Sequence, residues 1–259
     1  MKNSNLYQVI EGLNKFAPPE IAAFDFAGLL VDSDSKSIRK IGITLDATLT
    51  TISEAVTNKC DLLITHHGPD DKTFHEISGL DRKRIALALS ANLPIFRMHL
   101  NLDFCTNGNS ETLCKLLGFE KFKPTWTIYQ GHKLETGAHF IDGYFLLEDL
   151  LERVKRLIPN SVRIVPSSKK MFKRLAITPG GGFEPCFLEQ LPSPDVFISG
   201  ELNHIAIVRA IDLNICLIEA THASTENEPL KLIAKRLEKF LGIQVVFIES
   251  RDNIKVVRL

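Results

Sequence analysis

Short apolar runs separated by helix-patterned stretches recur along this chain, and that alternation constrains the fold more than any other feature. IRKIGITLD (38–46) reads as a strand, TLTTISEAVTNK (48–59) carries apolar residues near helical spacing, and DLLITHHG (61–68) is a strand stopped by a glycine. A helix over roughly Gly79–Asn92 and a strand over PIFRMHLNLD (94–103) follow, then a helix near Ser110–Leu117 that ends at Gly118. After a less regular middle the pattern resumes. It gives strand RLAITP, a helix near Glu184–Gln190, strand DVFISG (195–200), a helix, and strand NICLIEA (214–220). A helix over Glu228–Leu241 and strand IQVVFIES (243–250) close it. Strand–helix–strand order of this kind predicts an α/β fold with largely parallel sheets and helices packed on their faces.

The middle, near 124–170, holds the only tryptophan, Trp126, a helix near Leu146–Leu157 closed by Pro159, and an SSKK segment expected to be exposed. No low-complexity tract divides the chain. The expected organisation is one lobe from residues 1–123 with 221–259, and a second from 124–220. Lys and Arg balance Asp and Glu, 31 against 31, so bulk electrostatics offers nothing to nucleic acid or to an anionic membrane. No stretch approaches the roughly 20 apolar residues of a membrane span, and MKNSNLYQVI has no apolar signal core. A soluble, cytoplasmic protein is expected. Its five cysteines lack CxxC spacing and read as buried thiols.

Two segments echo one another. DLLITHH starts at Asp61 and DVFISGE at Asp195; each is an aspartate, a run of apolar residues, a small polar residue and a reactive pair. The pairs are His66-His67 and Gly200-Glu201. Farther on lie H-x-x-x-D, His99 with Asp103, and H-x-x-x-E, His222 with Glu226. The pattern predicts a duplicated strand–helix–strand unit with Asp61 matching Asp195 and His99 matching His222. Chance similarity between two ordinary α/β units is the competing explanation.

Five of the eight histidines (66, 67, 99, 204 and 222) fall at or beyond predicted strand ends, where open α/β sheets build their sites. Imidazole with carboxylate suits Zn, Fe, Ni or Mn and lacks the all-oxygen character of a calcium site. A carboxylate has two oxygens, so one can bridge two cations about 3.5–4 Å apart. His66, His67, His99, Asp103, His222 and Glu226 are therefore candidate ligands for two divalent ions. Gly180, Gly181 and Gly182 in ITPGGGFEP lie between a predicted strand and helix. They either present backbone N–H groups to a phosphate or simply make a tight turn with positive φ. No G-x-S-x-G, P-loop or dinucleotide fingerprint is present.

With GITLD, ITHHG, HLNLD, ISGELNH and ATHASTE in that order, the chain resembles the GTP cyclohydrolase 1 type 2, or NIF-three-like, family from about Leu6 to Ile248. The resemblance implies a two-lobed α/β subunit with the NIF-three-like fold, a toroidal homohexamer, and a dinuclear metal centre. It carries the family ligands onto His66, His67, Asp103, His222 and Glu226, with Glu226 as the bridge. His99 matches a family histidine beside the centre, and ISGELNH places Glu201 and His204 near the metals. The family's W-D-N-x-G-L-Q is FDFAGLL here, without its Asn and Gln. The implied function is a metal-dependent hydrolase acting on a nucleotide, with Glu201 or His204 moving protons. Some short archaeal-type members, which this chain most resembles, are linked to iron delivery, so a metal carrier is the alternative.

Overall fold

Two sheets organise the computed structural model of the protein, which describes residues 4–22, 24–34, 37–69, 77–129, 132–158, 162–182 and 193–250. The chain divides into two compact units, Met1–Thr106 with Leu230–Arg251, and Asn107–Pro229 with Asp252–Leu259.

The first unit holds β1 (Gly28–Val31), β2 (Lys40–Asp46), β3 (Leu62–His67), β4 (Ile95–Arg97) and β11 (Gln244–Ile248), in spatial order β1-β4-β3-β2-β11. Only the β1–β4 pairing is antiparallel. Helices α1 (Leu6–Phe16), α2 (Leu49–Thr57), α3 (Gly79–Ser90) and the short α4 (Leu100–Phe104) belong to it. Ile52, Ala55 and Ala88 of α2 and α3 pack on Leu63, Ile95 and Ile248 of the sheet.

The second unit is mixed in direction. Its strands are β5 (Lys123–Tyr129), β6 (His132–Phe145), β7 (Arg163–Val165), β8 (Phe172–Ile177), β9 (Val196–Ser199) and β10 (Cys216–Glu219), in order β5-β6-β8-β9-β10-β7. β8, β9 and β10 are parallel, and the other pairings are antiparallel. Successive residues of a strand face opposite ways, so Leu175 and Ile177 join the core under α5 (Asn109–Leu116) and α6 (Leu147–Lys155). Ala176 and Phe197 join the other face, under α7 (His204–Leu213). The expected helix near Glu184–Gln190, Pro159 and Cys186 lie outside the described residues. Cys105, Cys114 and Cys216 are buried thiols and Cys60 is partly buried. No helix among the described residues is long and apolar enough to cross a membrane.

Two local expectations need correction. The strand expected over 94–103 stops at Arg97, and Leu100–Phe104 is helix. Asn101 turns the chain there: its Oδ1 accepts the His99 N–H at 3.0 Å and its Nδ2 donates to the Ala17 carbonyl at 2.7 Å. The last helix, α8 (His222–Leu241), starts a turn and a half earlier than expected and carries Pro229 inside it. Pro229 has no N–H to give to Thr225, and the reading that starts a helix beside a proline misplaces the boundary.

The sequence echo is a structural repeat. Spatial order β1-β4-β3-β2 in the first unit matches β7-β10-β9-β8 in the second, with the same directions throughout. Asp61 Oδ2 accepts the N–H groups of Arg39 and Lys40 at 2.8 and 3.0 Å, and Asp195 Oδ2 accepts those of Lys173 and Arg174 at 2.7 and 3.1 Å. Asn92 and Asn214 end the helices before β4 and β10 in left-handed conformation. Their Oδ1 atoms accept N–H from Asp34 and Ser168, three residues past β1 and β7. Strand register then pairs Arg97 with Glu219, because these residues lie opposite Thr65 and Ser199. It also shifts the histidines: His99 matches Thr221, and His222 comes one residue later. The sequence expectation of His99 matching His222 is off by one residue.

The matched Arg97 and Glu219 have opposite charges, and each binds a residue of the other sign near the start of the antiparallel edge strand. Arg97 pairs with Asp25 just ahead of β1, and Glu219 holds Arg163 at the start of β7. Both are nearly buried, at 7% exposure.

Each aspartate clamp ties the start of one strand to the next, so its loss exposes two backbone donors at once. Asp61→Ala and Asp195→Ala should each lower unfolding free energy by about 1.5–3 kcal/mol, the range for hydrogen bonds to a charged acceptor. Burial opposes the Asp195 charge, but Lys169 and the two N–H donors outweigh it and hold the carboxyl below its ordinary value. The Asp195 contribution should therefore be present above the ordinary carboxylate range and fade as pH falls through the lowered value. Urea denaturation of both variants at neutral and acid pH checks this; a pH-independent Asp195→Ala difference contradicts the clamp.

Candidate metal centre

The first unit brings four of the candidate residues to the ends of β3 and β4. His66 and His67 are consecutive at the end of β3, His99 caps α4, and Asp103 lies one helical turn on. His66 is fully buried and its Nδ1 lies 2.8 Å from the Met98 carbonyl oxygen. A carbonyl only accepts, so Nδ1 carries the proton and the Nε2 lone pair faces the other way, 3.6 Å from Asp103 Oδ1. His67 Nδ1 lies 2.8 Å from Asp46 Oδ1, whose second oxygen accepts the Ser250 hydroxyl. The Asp46 carbonyl accepts the Thr51 hydroxyl and the Thr48 N–H at the start of α2, which pins the residue.

His99 Nδ1 lies 2.9 Å from Asp25 Oδ2 and 2.8 Å from Arg97 Nη2. A nitrogen cannot both accept from Arg97 and donate to Asp25. Donation to the carboxylate is favoured, because Asp25 already draws the Leu100 N–H and lies 3.3 Å from Arg97 Nη1. Burial is the largest influence on His99 and holds its pKa below the ordinary value despite Asp25. Burial works against the Asp25 charge, but His99, Arg97 and the Leu100 N–H prevail and keep that carboxyl low. His99 is thus neutral at neutral pH, the form in which imidazole can ligate.

The second unit presents His222 and Glu226 one helical turn apart at the start of α8, with His222 Nε2 2.9 Å from Glu226 Oε2. His222 Nδ1 lies 2.8 Å from Glu201 Oε1. Burial would lower the His222 pKa, but the hydrogen bond and charge of Glu226, joined by Glu201, raise it to about 9. Glu226 is nearly buried, whereas the Glu201 side chain is 59% exposed.

Gly180 explains the glycine run. Its φ is +60°, and a Cβ there would collide with Glu226 Oε1 and press on His222 Nε2. The Gly180 N–H donates to Thr225 Oγ1 at 3.0 Å and the Gly182 N–H to Ser199 Oγ at 3.1 Å. Two of the three N–H groups considered for phosphate are thus engaged within the chain, and Gly181 is the exposed one. His204 is exposed at the first position of α7, and among the described residues no hydrogen bond joins it to Glu201, His222 or Glu226.

Nε2 of His66 and of His222 faces a carboxylate, Asp103 and Glu226 respectively, and in all four histidines Nδ1 meets an oxygen. That is how ligating histidines are usually held, and the donor set fits a divalent transition metal. Sequence reading singled out the histidines, Asp103 and Glu226 as candidates and passed over Asp25, Asp46, Arg97 and Ser250. Asp46 ends GITLD and Asp25 centres FDF, so both lay inside quoted motifs without any spacing that pointed to their roles.

The pattern of the Duf34/NIF3 (NGG1p interacting factor 3) family matches residues 4–254. A Methanocaldococcus jannaschii protein named GTP cyclohydrolase 1 type 2 homolog is 30% identical over 247 residues, 93% of this chain and 98% of its own length. A Clostridium acetobutylicum protein of the same name is 28% identical over 271 residues, covering 98% and 97% of the two chains. Among solved structures, reduced HcgD from Methanocaldococcus jannaschii superposes with a TM-score of 0.81 at 28% identity, over 95% of this chain and 98% of its own. A Bacillus cereus protein related to NIF3 has the same fold, with a TM-score of 0.81 at 15% identity, over 99% and 100% of the chains. The chain belongs to the Duf34/NIF3 family.

Proposed function

We propose that the chain binds two divalent metal ions on His66, His67, His99, Asp103, His222 and Glu226, and uses them to hydrolyse a nucleotide. The observation that carries the metal reading is the shared commitment of Nδ1 in four histidines to oxygen acceptors. When bound, such ions supply Lewis acidity and bring the pKa of a water toward about 7. Glu226 offers two oxygens in a nearly buried position backed by Gly180, which suits a bridging carboxylate. Asp46, Asp25 and Glu201 orient imidazoles, and Glu201 is the most exposed of the three, which suits it to take a proton from water as well. The names of the relatives support the nucleotide, and the resemblance of the sequence to the family implies a homohexamer. A metal carrier is the second reading. It is favoured by Glu201 being engaged with His222, as a residue serving only to orient a ligand would be.

Glu226→Gln should reduce bound metal from two equivalents toward none, and Gly180→Ala should do the same by displacing that carboxylate. Elemental analysis after reconstitution reads both; loss of a single ion in Glu226→Gln takes it out of the bridging role.

Metal uptake should release protons, because His222 holds a proton up to about pH 9 in the metal-free chain. Apparent affinity should rise with pH and level off above that value. Titration of weakly buffered protein at pH 7 counts the protons, and uptake without release removes His222 from the ligand set.

The Glu201→Gln variant separates the two functions, since the amide oxygen can still accept from His222 Nδ1. Metal content should stay near the wild-type level. On a nucleotide panel with Zn, Mn and Fe(II) separately loaded, turnover should fall by roughly 10²–10⁴-fold, as for a lost general base. Equal turnover in both proteins clears Glu201 of proton transfer. A wild type that turns over nothing, while releasing its metal readily to a chelator, favours the carrier.

A further inference from the structure

Because the two units repeat one design, the ion pair of the first is a control for that of the second. The side chains of Arg97 and Asp25 are 9% and 15% exposed. Arg97 is turned inward, with Nη1 3.0 Å from the Phe26 carbonyl and 3.3 Å from Asp25 Oδ1. The matched pair in the second unit is lopsided. The Glu219 side chain is 9% exposed, whereas that of Arg163 is 67% exposed. Burying a carboxylate is costly, and an ion pair open to water returns little stability. A buried glutamate holding an outward-facing arginine is a poor stabilising device and a good mount.

Arg163 donates from Nε to Glu219 Oε2 and from Nη2 to Oε1, so one side of the guanidinium is fixed by a two-pronged contact. An arginine has five N–H donors. The outer fork of Nη1 and Nη2 remains, and no acceptor takes it among the described residues. The hydrogen bond and charge of Glu219 raise the Arg163 pKa, so the group stays a cation.

Strand register sets where that fork lies. Arg163 pairs with Glu219, the last residue of β10, and Glu219 Oε1 also accepts the Leu202 N–H at 3.1 Å. Glu201 precedes Leu202, and its Oε1 lies 2.8 Å from His222 Nδ1. Arg163, Glu201 and His222 thus share the edge where β9 and β10 end, and one carboxylate ties Arg163 to the segment that carries Glu201. A planar guanidinium fork matches two oxygens of a phosphate.

We propose that Arg163 grips a phosphate group of the substrate through its outer fork, with Glu219 as the residue that positions it. The proposal rests on the nucleotide reading above and narrows it to a phosphate-bearing substrate. Glu219 cancels the Arg163 charge at a distance, so selection acts at contact and not by long-range steering.

Calorimetric titration of zinc-loaded protein with GTP and with guanosine reads the phosphate contribution as the ratio of the two affinities. The double variant Arg163→Gln, Glu219→Gln leaves two amides and no unpaired buried charge. It should cut that ratio about 10–100-fold, the loss expected for hydrogen bonds between charged groups, with guanosine affinity and zinc content unchanged. Glu219→Gln alone keeps the guanidinium and an acceptor for the Leu202 N–H, and should cut the ratio less than the double variant does. Arg163→Lys keeps a cation beside Glu219 but has no fork. It should cut the ratio about tenfold, and it carries the test if circular dichroism shows the double variant unfolded. An unchanged ratio in the double variant, or in Arg163→Lys where that carries the test, overturns the proposal. So does an equal loss in Glu219→Gln alone, or a matching fall in guanosine affinity. Wild type that binds GTP and guanosine equally also overturns it, while leaving the base and sugar as ligands. Wild type that binds neither sinks the nucleotide reading itself.

Discussion

An imidazole has two nitrogens, and the candidate centre depends on deciding which one is offered. The deciding acceptors are the Met98 carbonyl and the Asp46, Asp25 and Glu201 carboxylates, each within 2.9 Å of an Nδ1. Much of the surrounding architecture keeps these acceptors still. Asp46 is the last residue of β2 and sits where α2 begins, Ser250 reaches it from beyond β11, and Arg97 holds Asp25 from β4. Parallel strands ending side by side supply the common edge on which such residues meet. The sheet is thus a frame for proton placement as much as for side-chain placement.

The sequence announces the candidate ligands more clearly than the frame. Consecutive histidines ahead of a glycine, and histidines four residues before a carboxylate, can be read from spacing alone. Strand runs such as Leu62–His67 and Val196–Ser199 are equally plain, because both faces of each sheet are covered and the strands are continuously apolar. HLNLD defeats that reading. Its leucines alternate as in a strand, yet Asn101 finds the Ala17 carbonyl, 84 residues away, and the segment closes into a turn of helix. Asp25 and Asp46 were hidden for the same reason, since their partners are 74 and 21 residues distant. Contacts of that reach leave no periodic trace in a single sequence.

The repeat was legible at Asp61 and Asp195 because both clamps join residues 21 and 22 apart in the chain. It blurred toward the ligands, where register places His99 opposite Thr221. The two copies have kept what builds a sheet and changed what faces the chemistry. Where the first has His66, His67 and Asp46, the second has Gly200, Glu201 and Gly180, and the glycine makes room for the Glu226 carboxylate.

The opposed charges at Arg97 and Glu219 bear on how such a chain can vary. Were the two modules separate identical polypeptides, one codon would set both positions, and a buried cation in one copy would force a buried cation in the other. Joined in a single polypeptide, each position mutates on its own. Arg97 is therefore free to serve Asp25 and the Phe26 carbonyl, while Glu219 binds Arg163 and the Leu202 N–H beside Glu201. Fusion turns an enforced symmetry into two independent addresses, and the asymmetry of the candidate ligands is its most visible result.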